Sequence, residues 1–323
     1  MANRPHINGN AVTWTVPIQI TVRVDAPALA SSTLQGRAPQ DPALAEALAE
    51  LEAGRARPYY SAEADREDRA DYYRDVRDNL TAAARYRVLS TLLRDTHGTA
   101  LTYKPARHVY PWVDLRPNRK LLSIYSGHEF EPEELIRRDI ATEQAREETL
   151  ARRAAEGVSG EALEAIEAEL EASMPFNCEH VVPQSWFGKE EPMRGDLHHL
   201  FACEPRCNSF RGNTPYFDFA GSEEAVMTDC GRREGNRFEP RGGRGTAARA
   251  TLYFLLRYPG EIDGTGEFPA DRLETLLAWH ASDPPGEYEQ HRNQAIAEKQ
   301  GNRNPLIDFP DWASRIDFRF GLD

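Results

Sequence analysis

Apolar and polar positions alternate over residues 13–24, placing Trp14, Val16, Ile18, Ile20, Val22 and Val24 on one face, which predicts a strand. Residues 25–40 are rich in Ala, Ser and Pro and read as a linker. Asp41-Pro42 then predicts a helix capped by Asp41, with Leu44, Leu48 and Leu51 along one side. Helical spacing returns over residues 71–95, where Leu80, Ala84, Val88, Leu92 and Leu93 form a stripe. His108-Val109-Tyr110 and residues 121–125 have the length and composition of short strands. Residues 131–173 read as two highly charged helices, and residues 246–257, 271–280 and 287–300 as three more. Gly301 stops the last of these and Pro305 keeps it from resuming.

Between these helical tracts lies the stretch that carries chemistry. Cys178-Glu179-His180-Val181-Val182-Pro183 ends a short apolar run. Leu197 and Leu200 mark a second short strand one hairpin away, and residues 204–211 predict a helix with Asn208 about two turns in. A hairpin crossed by a helix would bring together a carboxylate, an imidazole that titrates near neutrality, and an amide. Those groups suffice to hydrolyse a phosphodiester with one hard cation. Neighbouring residues on a regular strand face opposite ways, so Glu179 and His180 converge only if the strand bulges or ends there. Pro183 makes an early end plausible.

Composition and charge refine this picture. The 323 residues are 40% hydrophobic with a mean hydropathy of -0.65, as in a soluble globular protein with a sizeable core. No apolar run approaches the roughly eighteen residues of a membrane span. The N-terminus lacks the continuous apolar stretch of a secretory signal, so a cytoplasmic location is expected, with non-classical export the alternative. The net charge of -13 suits a nucleic-acid enzyme poorly until its distribution is resolved. Residues 128–175 alone, with 5 basic and 14 acidic groups, carry -9. Residues 231–249 reverse the sign: six arginines, among them Arg241 and Arg244, face only Glu234 and Glu239. With glycines at 235, 242, 243 and 245, this stretch reads as a mobile basic loop suited to a phosphate backbone, or as a plain solvated loop.

The motif run resembles the endonuclease I family of bacterial nucleases, within the ββα-metal (His-Me finger) superfamily. The likeness extends from about Pro58 to the C-terminus. It rests on Tyr125-Ser126-Gly127, the Glu-His-Val-Val-Pro run, Asp196-Leu197-His198, Arg211-Gly212-Asn213 and Gln300-Gly301-Asn302-Arg303-Asn304-Pro305. The resemblance implies His180 as general base, Glu179 and Asn208 as ligands of one Mg²⁺, Mn²⁺ or Ca²⁺ ion, and an arginine on the cleaved phosphate. Arg194 is the candidate for that arginine and Arg211 the fallback, with Arg241 and Arg244 as further phosphate contacts. It also implies both DNA and RNA as substrates and 5′-phosphate ends. The expected fold is α+β: a ββα-metal core in a largely helical domain over residues 58–323, with an acidic helical insertion at about 128–173 and an N-terminal extension at 1–57.

Other groups read more than one way. Cys178, Cys203, Cys207 and Cys230 fit a structural Zn²⁺ site, buried thiols or disulfides, the first being preferred. His198 and His199 read as structural rather than metal-binding. Asn302, Arg303 and Asn304 either cap a helix or support the site from behind. The acidic helices are a solvated coil or a phosphate mimic that restrains the enzyme, and residues 1–57 could hold a regulatory or inhibitor protein. Two rival functions remain open: a sequence-specific HNH-type or defence nuclease, and a catalytically silent zinc-stabilised module that binds nucleic acid.

Overall fold

The computed structural model describes residues 6–8, 11–13, 41–219, 225–263, 268–269 and 271–322. It divides into a unit over 1–39 and a larger one over 40–323. The first contains a two-stranded hairpin, β1 (His6–Asn8) with β2 (Ala11–Thr13), in which His6 pairs with Thr13. The strand expected over 13–24 falls on residues outside the described set, apart from Thr13 in β2.

In the larger unit, α1 (Pro42–Ala56) begins where expected, with the Asp41 carboxylate accepting from the Ala43 N–H at 3.0 Å. The single tract expected over 71–95 is two helices, α2 (Ala62–Tyr72) and α3 (Ala82–Thr96), each with its own Ser or Thr N-cap. The strand expected at His108–Tyr110 is instead α4 (Pro105–His108) and a buried turn. Pro105 at the first helical position presets the backbone for that turn. β3 (Leu121–Leu122) pairs with β4 (Glu129–Phe130), and then α5 (Pro132–Ala155) and α6 (Glu161–Ser173) follow.

Helix α5 is no solvated coil. Leu135, Ile136 and Ile140 are fully inside a core cluster with Leu51 of α1, Val109, Trp112 and Val113. Asp139 is buried beside them, accepting from the Tyr110 hydroxyl at 2.7 Å and from Asn177. Truncating any one of the three aliphatic side chains would cost about 2–5 kcal/mol. Helix α6, by contrast, has no buried residue.

β5 (Cys178–His180) pairs antiparallel with β6 (Leu200–Ala202), and α7 (Pro205–Arg211) follows directly. The stretch read as a mobile basic loop is ordered secondary structure. β7 (Val226–Thr228), β8 (Gly231–Glu234) and β9 (Arg237–Pro240) form a three-stranded sheet that leads into α8 (Arg244–Arg257). Glu239 draws in Arg232 and Arg244, and Glu234 pairs with Arg237, so the arginines of this sheet are largely neutralised. α8 is buried around its whole circumference from Ala247 to Leu256, as a helix at the centre of a domain must be. α9 (Asp271–Ser282), α10 (Glu287–Gln300) and α11 (Pro305–Asp308) surround it. Gly301 ends α10 with φ 97°; a side chain there would meet the Thr96 carbonyl at 2.4 Å. No helix among the described residues is long and apolar enough to cross a membrane.

Burial lowers the pKa of His198 from 6.5 to about 4, against the pull of Asp196. The unfolded ring therefore binds protons that the folded one refuses, and stability falls as pH drops from about 6.5 to 4. This ring contributes on the order of 3 kcal/mol to that loss. Urea melts at pH 7 and pH 4.5 should show the loss, and His198→Gln should flatten it; a wild-type midpoint independent of pH over that window contradicts the assignment.

Candidate functional site

The β5–β6 pair is only two strands wide, so each strand has an outer edge to satisfy. On β6, the Ala202 N–H donates to the buried Asp114 carboxylate at 2.7 Å, and the Ala202 carbonyl accepts from Ile124 N at 3.0 Å. On β5, helix α7 supplies the partners. Asn208 Nδ2 donates to the Cys178 carbonyl at 3.0 Å, and Arg211 donates to the carbonyls of His180 at 3.2 Å and Val181 at 2.7 Å. Carbonyls two residues apart on a strand point to the same edge, and residues three apart on a helix share a face. Gly212, at φ 57°, ends α7 with its N–H returned to Asn208 at 2.8 Å.

Strand β5 keeps a regular register, with Glu179 opposite Phe201 and His180 opposite Leu200 and no bulge. Glu179 and His180 therefore leave it on opposite faces. His180 lies with Cys178, Asn208, Arg211 and Asn213 on a cleft of about 420 Å³. Its Nε2 is 2.9 Å from the Arg194 carbonyl, and its ring packs against Tyr103 and His199. A carbonyl only accepts, so Nε2 carries the proton and Nδ1 keeps the lone pair. Burial, reinforced by His199, pushes the ring well below its ordinary pKa, so it is neutral at pH 7.

Glu179 is 1% exposed and faces the other way. Its Oε1 accepts from the Tyr125 hydroxyl at 2.8 Å and meets Arg211 at 3.2 Å, and Tyr125 is bonded in turn to Tyr216 at 2.7 Å. Burial raises its pKa to about 7 even though Arg211 and Tyr125 pull it down. Glu179 Oε2 is buried without a partner. Asn208, with Nδ2 committed to Cys178, keeps Oδ1 for another donor or a cation. A carboxylate oxygen and an amide oxygen are the donor types that a hard cation takes.

The arginines are distributed otherwise than a simple phosphate clamp would require. Arg194 uses its backbone carbonyl to orient His180, while its guanidinium engages Glu171 of α6 and Gln184 Oε1 at 2.9 Å. Arg211 is buried and committed to two carbonyls and Glu179. Arg241 and Arg244 do not line the cleft: Arg241 borders a separate cavity beside residues 122–127, and Arg244 is paired with Glu239. Tyr125, Tyr216, Glu171 and Lys189 belong to the site or its mouth and were missed as functional groups. Only Tyr125 had a signal, its Tyr-Ser-Gly run.

A four-cysteine zinc site is not formed. Cys207 and Cys230 are joined in a disulfide, Cα–Cα 5.3 Å, which ties α7 to the turn before β8; Cys178 and Cys203 are buried free thiols. Glu204 stands beside the bonded pair, but bonded sulfurs are not thiolate ligands. His198 and His199 bond the carbonyls of Asn302 and Met193, in keeping with structural roles. Asn304 caps α11, Asn302 donates to Tyr253, and Arg303 pairs with Asp65 and Asp308, all away from the cleft.

Residues 159–311 match the family model described as Endonuclease I. That span takes in α6 and leaves out α5. An extracellular ribonuclease of Bacillus subtilis (strain 168) is 37% identical over 156 residues, 44% of this chain and 54% of that protein. An extracellular and a periplasmic deoxyribonuclease of Aeromonas hydrophila are each 30% identical over 155 residues, 40% of this chain and 64% or 62% of those proteins. The chain thus spans about half the length of the ribonucleases it matches. These names overturn the expectation of a cytoplasmic protein. The disulfide agrees with the correction, since such bonds persist in oxidising compartments.

Closing a loop of about two dozen residues, the disulfide contributes about 3 kcal/mol in the chain-entropy model. Reduction, or the pair Cys207→Ser and Cys230→Ser, should lower the urea midpoint accordingly. Two free thiols titrating in the unreduced, denatured chain is the expected count, and four would contradict the pairing.

Proposed function

We propose, from the match of residues 159–311 to the Endonuclease I family model, that the chain is a nuclease of that family: a secreted, divalent-metal-dependent endonuclease that cleaves DNA and RNA with little sequence preference. The pair β5–β6 with α7 is its ββα-metal core. One observation carries the reading: the His180 ring, its Nε2 tied to the Arg194 carbonyl, keeps a lone pair on Nδ1 in a cleft shared with Asn208. The relatives' names support both substrates, since they include ribonucleases and deoxyribonucleases.

In this reading Nδ1 of His180 accepts a proton from a water as its oxygen attacks phosphorus. The bond to O3′ breaks, the 5′ fragment leaves with a 3′-hydroxyl, and the other fragment keeps a 5′-phosphate. The Arg194 carbonyl steadies the imidazolium that forms, because its bond to Nε2–H strengthens as the ring gains charge. Arg211 fixes the end of β5 and keeps positive charge on the cleft wall. Glu179 and Asn208 would hold the cation, which when bound supplies charge neutralisation to the phosphate and the departing oxygen. Helix α7 is seven residues long and engaged with β5, so it offers no major-groove reader; contact with the phosphate backbone suits non-specific cleavage.

Wild type should convert labelled plasmid and RNA to a smear of ligatable 5′-phosphate fragments, and chelator should abolish this. His180→Ala should lose on the order of 10²–10⁴-fold in rate while the chain still melts in one cooperative transition. Chelator-resistant cleavage, or a His180→Ala rate within threefold of wild type, refutes the mechanism; discrete plasmid fragments would point to the sequence-specific rival.

A further inference from the structure

The mouth of the cleft holds a contact that catalysis does not use. Among the described residues lining it, Glu171 is the one carboxylate, set against Arg146, Lys189 and Arg211. Its two oxygens go to different cations: Oε2 accepts from Lys189 Nζ at 2.7 Å, and Oε1 accepts from the Arg194 guanidinium. Two oxygens of one anion bridging two cations is the arrangement a phosphodiester makes with its non-bridging oxygens. The place is fixed relative to the base, because the Arg194 carbonyl also holds His180.

The contact is built to exchange. The Glu171, Arg194 and Lys189 side chains are 18%, 23% and 44% exposed, and ion pairs at such exposure are weak. Glu171 is ionised: burial raises its pKa, but Lys189 and Arg194 hold it below the ordinary value. Helix α6, which carries Glu171 in its last turn, buries no residue, so α6 can yield without opening the core. Removing residues 128–173 wholesale cannot examine this, because α5 within them is part of that core.

We propose that Lys189 and Arg194 form a phosphate-binding subsite at the cleft mouth, and that Glu171 occupies it as an intramolecular competitor that nucleic acid must displace. The inference rests on the nuclease reading for its substrate class, but its test does not depend on turnover. In the full-length chain carrying His180→Ala, with chelator present, the affinity for a fluorescent single-stranded oligodeoxynucleotide is measured across salt concentrations. Glu171→Gln should tighten binding roughly tenfold, the factor for a competitor seated about 90% of the time. It should also steepen the salt dependence by about 0.7 in log–log slope for each freed cation that gains a phosphate. Glu169→Gln removes the same charge from an exposed site on α6 and should change binding by less than twofold. Adding Lys189→Gln to Glu171→Gln should take back about one cation's share of the slope. Glu171→Gln binding no tighter than Glu169→Gln, with both variants folded by their melting curves, overturns the proposal. Absence of cleavage by wild type would instead remove the nuclease reading and leave this comparison standing.

Discussion

The outer edge of β5 is the constraint on which the rest of the site depends. A two-stranded sheet leaves its edge carbonyls bare, and those of Cys178, His180 and Val181 are buried, so each needs a donor. Asn208 and Arg211 provide them from one short helix. The same bonds that satisfy the strand hold the amide of Asn208 and the charge of Arg211 beside the cleft. Removing either donor would leave a buried carbonyl unpaired at about 1–3 kcal/mol and let the strand end drift. Structure and candidate chemistry are thus one set of hydrogen bonds.

Around this unit the protein buries an unusual number of charges, each with partners. Arg292 bonds Asp114 and the carbonyls of Leu197 and Leu200, so the residue that anchors β6 is itself anchored from α10. Asp196 accepts from Tyr253 and Tyr258 at 2.7 and 2.9 Å and from Gln300 at 2.9 Å, fastening the loop before β6 to α8 and to the end of α10. Such pairs add less net stability than their number suggests, because desolvation offsets attraction. Breaking one is costly, and that asymmetry holds β5 and β6 in one place.

Much of this was legible in the chain. Long periodic tracts became helices at nearly the expected residues, since amphipathic spacing and caps are local signals: Asp41 caps α1, and Gly301 ends α10. The hairpin and the helix bearing Asn208 were legible because short apolar runs punctuated by Pro183 and Pro205 leave few alternatives. What failed depended on long-range partners. His108-Val109-Tyr110 has strand-like side chains, but Pro105 and burial against α5 make it a turn. The arginines of 231–249 looked free because Glu239 serves two of them across a sheet that spacing does not reveal. Cysteine pairing is set by where α7 meets the turn before β8, and Glu171 is one glutamate among many until α6 places it on Lys189 and Arg194. The strand objection stood: Glu179 and His180 do face apart, and Arg211 is the side chain that touches the backbone of one and the carboxylate of the other.

The proposal on which the account turns is that Glu179 Oε2, orphaned at β5, and Asn208 Oδ1 hold one hard cation. A crystal structure of the chain soaked in Mn²⁺, with anomalous differences recorded at the manganese edge, tests it most directly. The account predicts a single strong peak bonded to Glu179 Oε2 and Asn208 Oδ1. A peak elsewhere in the cleft, or none while Glu179 stays bound only to Tyr125 and Arg211, would contradict it.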